Sequence, residues 1–276
     1  MVVVKYTMAT YNKIMCNKDR FSIATMCENW RSIAGEYDLS VELDHCCQAE
    51  NMDGDKGRET KEEITAITTK EGFRAVVLHG PFNELFPAAI DPKARELAMK
   101  RFNEAAQIAI SFGIKTMVVH SGYIPFVYFK EWHRDRSIEF WKEFMEDKPA
   151  DFSIAIENVL DDDPYTLAEI AEKASDDRIG LCLDVGHANV VSELSINEWI
   201  DVFAPHLKHL HIHNNDGSGD YHRDLDCGTL DIAKIIDRVN LKTSNKATFT
   251  IEVLEGLRSV EWLAEKQYLR KGNSEE

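Results

Sequence analysis

The sequence predicts a single (β/α)8 barrel spanning residues 1–276. Three observations predict it. Eight short β-branched or apolar runs recur along the chain, helix-period stretches separate them, and no linker or low-complexity segment intervenes. Successive run ends (Leu43, His79, His120, Glu157, Asp184, His213 and Val253) lie 27 to 41 residues apart, the spacing of repeated β/α units. An open doubly wound sheet is the competing arrangement.

In order, the predicted strands are Val2 to Met8, Leu39 to Leu43, Ala75 to His79, Thr116 to His120, Ser153 to Glu157, Gly180 to Asp184, His209 to His213 and Thr248 to Val253. Asp91-Pro92 and Asp163-Pro164 each place a capping carboxylate before a proline suited to the first helical turn, and Ser195 with Glu198 forms a capping box. Gly35, Gly72 and Gly113 stand where helices hand over to the next strand.

Composition narrows the function classes. With 32 Lys+Arg against 48 Asp+Glu the net charge is −16, and 44% of residues are hydrophobic, so the chain is neither disordered nor a nucleic-acid binder by bulk charge. No apolar run approaches the roughly 18–20 residues of a membrane span, and Lys5 interrupts the run Met1 to Val4, so a soluble cytoplasmic protein is expected. The six cysteines (Cys16, Cys27, Cys46, Cys47, Cys182, Cys227) show no C-x-x-C spacing and read as free thiols.

Strand parity assigns directions. In Ser153 to Glu157 the bulky Ile154 and Ile156 face the helices, which leaves Ser153, Ala155 and Glu157 inside the barrel. The same rule sends Cys182 and Asp184, then His209, His211 and His213, then Thr248, Thr250 and Glu252 inward, with His79 and His120 sharing that parity. Six strands thus end their inward face with His, Asp or Glu at the carboxyl rim, where such barrels keep active sites. Glu157, Asp184, His211 and Glu252 would converge on the axis. Three carboxylates facing one another need a cation, so a divalent metal is expected. Oxygen-rich ligation with one imidazole suits Mn, Mg or Co, and further histidines move the preference toward Zn. His79, His120, His187, Asp220 and His222 lie close enough in the pattern to bind substrate or additional ions.

Blander roles fit other residues. His45, His133 and His206 read as hydrogen-bonded rim residues, His209 as lower-layer packing and His213 as a rim hydrogen-bonder. Asp161-Asp162-Asp163 reads as a solvated helix start, and Trp262, Leu263 and Tyr268 as an apolar surface open to oligomer contact.

The segments His79-Gly80-Pro81-Phe82, Val119-His120-Ser121-Gly122, Ile156-Glu157-Asn158, Leu183-Asp184-Val185-Gly186-His187, His211 to Gly217 with Asp220-Tyr221-His222, and Ile251-Glu252 resemble the xylose isomerase-like TIM-barrel superfamily, in order from about Leu39 to Val253. That superfamily holds sugar isomerases and epimerases, and also endonuclease IV. The resemblance implies that Glu157, Asp184, His211 and Glu252 hold one metal, with Glu157 and Glu252 as the proton-transferring pair. It also implies that His79, His120, His187, Asp220 and His222 match the additional ligands of a trinuclear zinc site.

Two enzymatic readings follow: a metal-dependent sugar, sugar phosphate or polyol isomerase or epimerase, and a multinuclear zinc phosphodiesterase of the endonuclease IV kind. Charge favours the first. The clearest basic loop is Lys13, Lys18 and Arg20, the loop after the second strand carries Glu50, Asp53, Asp55 and Glu59, and even three divalent ions would leave a charge near −10. The expected partner is a small carbohydrate rather than a nucleic acid or membrane. A non-catalytic barrel with a closed structural metal is the reading outside enzymology.

Overall fold

In the computed structural model, which describes residues 20–244 and 246–271, eight parallel strands close into one barrel in sequence order. The strands are β1 (Phe21–Ala24), β2 (Ser40–Leu43), β3 (Ala75–His79), β4 (Thr116–His120), β5 (Ser153–Glu157), β6 (Ile179–Asp184), β7 (Leu207–Ile212) and β8 (Thr248–Ile251). Helices α1 (Trp30–Tyr37), α2 (Gly54–Thr65), α3 (Pro92–Ser111), α4 (Lys130–Met145), α5 (Tyr165–Ala174), α6 (Val185–Val191), α7 (Ile196–Phe203), α8 (Ile232–Thr243) and α9 (Leu257–Glu265) follow the strands, two of them after β6.

The first barrel strand differs from expectation. Phe21–Ala24 pairs with β2 on one side and β8 on the other, and so occupies the place assigned to Val2 to Met8, which lies outside the described residues. Polar Ser22 and Thr25 interrupt the run and hid it from a hydrophobicity reading. Ser22 faces inward and its hydroxyl meets Thr250 Oγ1 at 2.7 Å. Arg20 consequently precedes β1 at the amino-terminal end, where its guanidinium donates to Ala247 O at 2.7 Å and Asn240 Oδ1 at 2.6 Å. It is no rim cation. Lys13, Lys18 and Cys16 lie outside the described residues, and the other five cysteines are free.

Parity is obeyed elsewhere. Ile154, Ile156, Leu181, Leu183, Leu210, Ile212, Phe249 and Ile251 are buried between strands and helices, whereas Val77, Val118, Ala155 and Cys182 form a separate apolar layer inside the barrel. The helices cover the outside with one stripe each. Phe102 of α3 lies 5.1 Å from Trp141 of α4 and 5.9 Å from Phe140, and burying each such ring is worth roughly 1.5–3 kcal/mol.

Helix ends largely follow the caps. Asp91 accepts from Lys93 N ahead of Pro92, and Ser195 accepts from Glu198 N. The Glu198 carboxylate instead accepts from Tyr165 Oη, so only half of the capping box forms. Helix α5 begins at Tyr165, with Asp163 Oδ1 accepting from Tyr165 N. Gly72 and Gly113 have positive φ as helix terminators do, but Gly35 lies within α1 and the left-handed residue ending that helix is Asp38. Leu263 and Tyr268 are buried in the core, and of the three only half-buried Trp262 reaches the surface. None of the helices in the described residues is long and apolar enough to cross a membrane.

Candidate metal centre at the barrel mouth

Glu157 and Asp184 are the last residues of β5 and β6, His211 pairs in register with both Asp184 and Thr250, and Glu252 follows β8 directly. The stagger of the strands around the barrel brings all four side chains together at its mouth. His211 Nδ1 lies 3.1 Å from Glu252 Oε2, 3.3 Å from Glu157 Oε1 and 3.8 Å from Asp184 Oδ2. All four residues are buried.

The five additional residues ring this centre. His79 Nε2 and His120 Nε2 approach Glu157 Oε2 at 3.3 and 3.5 Å, and His187 Nδ1 approaches Glu157 Oε1 at 3.4 Å. Asp220 Oδ2 sits between His187 Nε2 at 3.2 Å and His222 Nε2 at 3.1 Å. Three of these imidazoles are oriented by backbone carbonyls that accept from Nδ1: Gly80 O for His79, Asn158 O for His187 and Glu252 O for His222. Such contacts fix the ring and turn Nε2 toward the carboxylates.

The cradle is rigid for local reasons. Asn158 bridges the ends of β5 and β6, donating to Asp184 O and accepting from Asp184 N, both at 2.9 Å. Asp184 also caps α6 by accepting from His187 N at 2.6 Å, so one carboxylate orients the helix that carries His187.

The bonding of these residues fits a divalent cation. Glu157 Oε2 and Glu252 Oε2 are buried yet accept no well-directed hydrogen bond, a costly condition unless a cation fills the space. Groups of three ligand atoms close enough to share an ion occur at His79, His120 and Glu157, at His79, His211 and Glu252, and at His187, Asp220 and His222. Without an ion, protons on imidazole balance the acids. Burial pushes the Glu157 carboxyl up, but His211, His120 and His187 overcome it and hold it well below the usual range. Burial likewise opposes charge on Asp184, which His187 and His213 nonetheless bring down to about 2. His120 behaves differently, its burial lowering it to about 4, so it is neutral and ready to coordinate.

Residues 40–271 match the family described as xylose isomerase-like TIM barrel. The chain belongs to that family. An uncharacterised protein of Methanocaldococcus jannaschii is 26% identical over 174 residues, and the match spans 59% of this chain and 59% of that protein. Among solved structures, a D-tagatose 3-epimerase-like protein superposes with a TM-score of 0.72 at 20% identity, covering 90% of this chain and 96% of that one. A Thermus thermophilus protein soaked with ZnCl2 gives 0.70 at 21% identity over the same shares, and the IolI protein with a bound zinc atom gives 0.70 at 15%, again over 90% and 96%. At these identities the likeness establishes the fold.

Several residues of this xylose isomerase-like barrel take places that the sequence reading did not give them. Glu42 on β2, fully buried, bonds His209 Nε2 and His211 Nε2 at 3.2 Å each, and its inward parity with Ser40 was the available signal. His213 is not a rim group. It is fully buried with Nε2 3.1 Å from Asp184 Oδ1, its ring stacked on His222 at 4.1 Å. His209 is bonded rather than simply packed, meeting Thr248 Oγ1 at 2.6 Å and Thr250 Oγ1 at 2.8 Å. His133 lies in α4 with neither nitrogen bonded, His206 precedes β7 at the opposite end of the barrel, and His45 Nδ1 has no partner. Asp161 is buried rather than solvated, because Ser121 Oγ donates to it at 2.7 Å and Val159 N at 3.2 Å.

Proposed function

We propose that this barrel is a divalent-metal-dependent sugar or polyol isomerase or epimerase. The observation that carries the reading is the pair Glu157 and Glu252, two buried carboxylates at the barrel mouth, each with one oxygen that accepts no well-directed hydrogen bond. The likeness to structures described as D-tagatose 3-epimerase-like and as D-psicose 3-epimerase with D-tagatose supports it. Glu157, Asp184, His211 and Glu252 would hold the ion, with Mn or Zn best suited to the mixed set and Mg or Co compatible. When bound, the cation supplies Lewis acidity that polarises a substrate carbonyl.

The protein's own groups then move the proton. One of Glu157 and Glu252 takes a proton from the carbon beside the carbonyl, and the electron pair of that C–H bond passes into the carbonyl as its C=O bond opens. The other, held as the protonated acid, gives its proton to the opposite face of the same carbon as the C=O re-forms, which inverts that carbon and leaves the two groups with their protonation states exchanged. Return of the proton to the former carbonyl carbon, while the hydroxyl on the first carbon gives its proton to the former carbonyl oxygen and becomes the new C=O, gives isomerisation instead. His187, Asp220 and His222 line the side where substrate hydroxyls would be oriented. Phe82, stacked on His120 at 4.3 Å, supplies an apolar wall.

A second reading keeps support from one observation: His79, His120 and Glu157, and separately His187, Asp220 and His222, form ligand groups beyond the central one. Two or three zinc ions there would suit phosphodiester hydrolysis. The deciding experiment is elemental analysis of protein purified without added metal or chelator, followed by a ketose screen in heavy water. One ion per chain and deuterium entering the carbon next to the carbonyl, lost about 10²–10⁴-fold in folded Glu157→Gln and Glu252→Gln, is the expected result. Two or three zinc ions and phosphodiester cleavage would replace it.

A further inference from the structure

The carboxylates of the mouth are not alike in their bonding. Glu157 Oε2 and Glu252 Oε2 each accept no well-directed hydrogen bond, whereas both oxygens of Glu42, which lies beneath His211, are satisfied. Glu42 Oε1 lies 3.2 Å from His211 Nε2, and its Oε2 accepts from Thr250 Oγ1 at 2.5 Å and meets His209 Nε2 at 3.2 Å. Ser22 Oγ meets the same Thr250 hydroxyl at 2.7 Å, and His209 Nδ1 meets Thr248 Oγ1 at 2.6 Å. Residues from β1, β2, β7 and β8 are thus tied into one buried polar layer directly beneath His211.

His211 stands between opposing acceptors. Below it, Glu42 faces Nε2. Above it, Glu252 Oε2 and Glu157 Oε1 lie 3.1 and 3.3 Å from Nδ1. A neutral imidazole carries one proton, and the ring can coordinate only through the bare nitrogen. With nothing beneath it, the acids of the mouth would draw that proton to Nδ1, the position an ion must use. A carboxylate at Nε2 draws it the other way.

Resting on the metal-centre reading, we propose that Glu42 is a positioning residue for that centre: it holds the proton of His211 on Nε2 and so presents the Nδ1 lone pair to the ion. It touches neither ion nor substrate. The full bonding of Glu42 sets this role apart from a second buried ion among Glu42, His209 and His211, whose ligand atoms are also close together.

The test uses the full chain with Glu42→Ala and Glu42→Gln. Zn and Co affinities are measured by chelator competition, the Co visible spectrum reports ligand geometry, and circular dichroism and melting of the metal-free proteins report folding. Glu42→Ala should weaken ion binding by about 10–100-fold and shift the Co spectrum while the saturating ion count stays unchanged. Glu42→Gln, which keeps an acceptor for Nε2–H, should recover much of the affinity. Should the alanine variant fail to fold, the glutamine variant decides alone, with a several-fold loss and a shifted spectrum expected. A merely structural role would lower the melting temperature of the metal-free protein and leave affinity and spectrum alone, which overturns the proposal. Loss of one whole ion equivalent with the remainder held normally also overturns it, because Glu42 would then be a ligand. If the wild-type chain binds no divalent ion, the metal-centre reading falls first and this proposal with it. Wild-type binding matched by both folded variants removes the Glu42 role only.

Discussion

The imidazole of His213 occupies the space that a side chain on Gly186 would need, so a methyl group there would overlap the ring. Gly186 lies in the first turn of α6, where glycine costs about 1 kcal/mol relative to alanine, so its presence serves the ring and not the helix. Gly186→Ala should therefore destabilise the protein by roughly 1–3 kcal/mol despite the better helix former, and should push His213 Nε2 away from Asp184 Oδ1. Thermal melting checks the first part and ion affinity the second. A variant as stable as the parent would mean that His213 moves freely.

Ion binding should release protons. In the metal-free protein burial opposes charge on His79, His187 and His211, but neighbouring carboxylates (Glu157 at His79, Asp184 and Asp220 at His187, Glu252 and Glu42 at His211) overcome it and hold all three well above the usual histidine range. Burial is likewise outweighed at His222, where Asp220 and Glu252 help bring it up to about 9. Such groups are charged at pH 7 and must lose a proton to coordinate. Calorimetry in buffers of different ionisation enthalpy should find about one proton, that of His211, released per ion at pH 7 if a single ion sits in the mouth, and more if His79, His187 and His222 also coordinate, with affinity rising with pH. Zero release would mean that these nitrogens do not bind the ion.

Much of this centre was readable because two rules acted together. Inward parity and the carboxyl-end location of barrel sites brought out Glu157, Asp184, His211 and Glu252 without any side-chain coordinates. Glu42 obeyed the same parity, but it lies in a four-residue strand with Ser40 and offers no neighbouring motif. Phe21–Ala24 was missed because Val2 to Met8 carries the stronger apolar signal, and pairing with β8 is a long-range contact that local pattern cannot express. Asp161 reads as solvated in an acidic triplet. Only the fold brings Ser121 to it.

Asp161 should make stability depend on pH. Burial raises its carboxyl to about 7, against the opposing pull of bonds from Ser121 and Val159, while in the unfolded chain it titrates near 3.8. The folded state thus retains the proton that the unfolded state gives up. The associated stability is fully present below about pH 4 and is lost as pH rises through 7. The substitution Asp161→Asn places a neutral amide there at every pH, and its oxygen can still accept both bonds. In metal-free protein with chelator present, this variant should match the parent near pH 4 and exceed it by roughly 1–3 kcal/mol at pH 8. A melting difference that stays constant from pH 4 to 8 would show that Asp161 is ionised throughout.

His79 and His120 separate the two chemical readings of the mouth. Both approach Glu157 Oε2, at 3.3 and 3.5 Å, but neither forms an ion pair with Asp184. If one ion sits among Glu157, Asp184, His211 and Glu252, removing both histidines deletes no ligand, and His79→Asn with His120→Asn should leave the ion count at one per chain. What should change is substrate binding, because Phe82 loses the ring it stacks on, and KM for the sugar should rise more than kcat falls. If instead several ions share Glu157, the same double variant removes two of three ligands from one of them. The count should then drop by at least one, and phosphodiester cleavage should go with it. Elemental analysis of the purified double variant against the parent gives the difference directly, and the isomerase reading requires that difference to be zero.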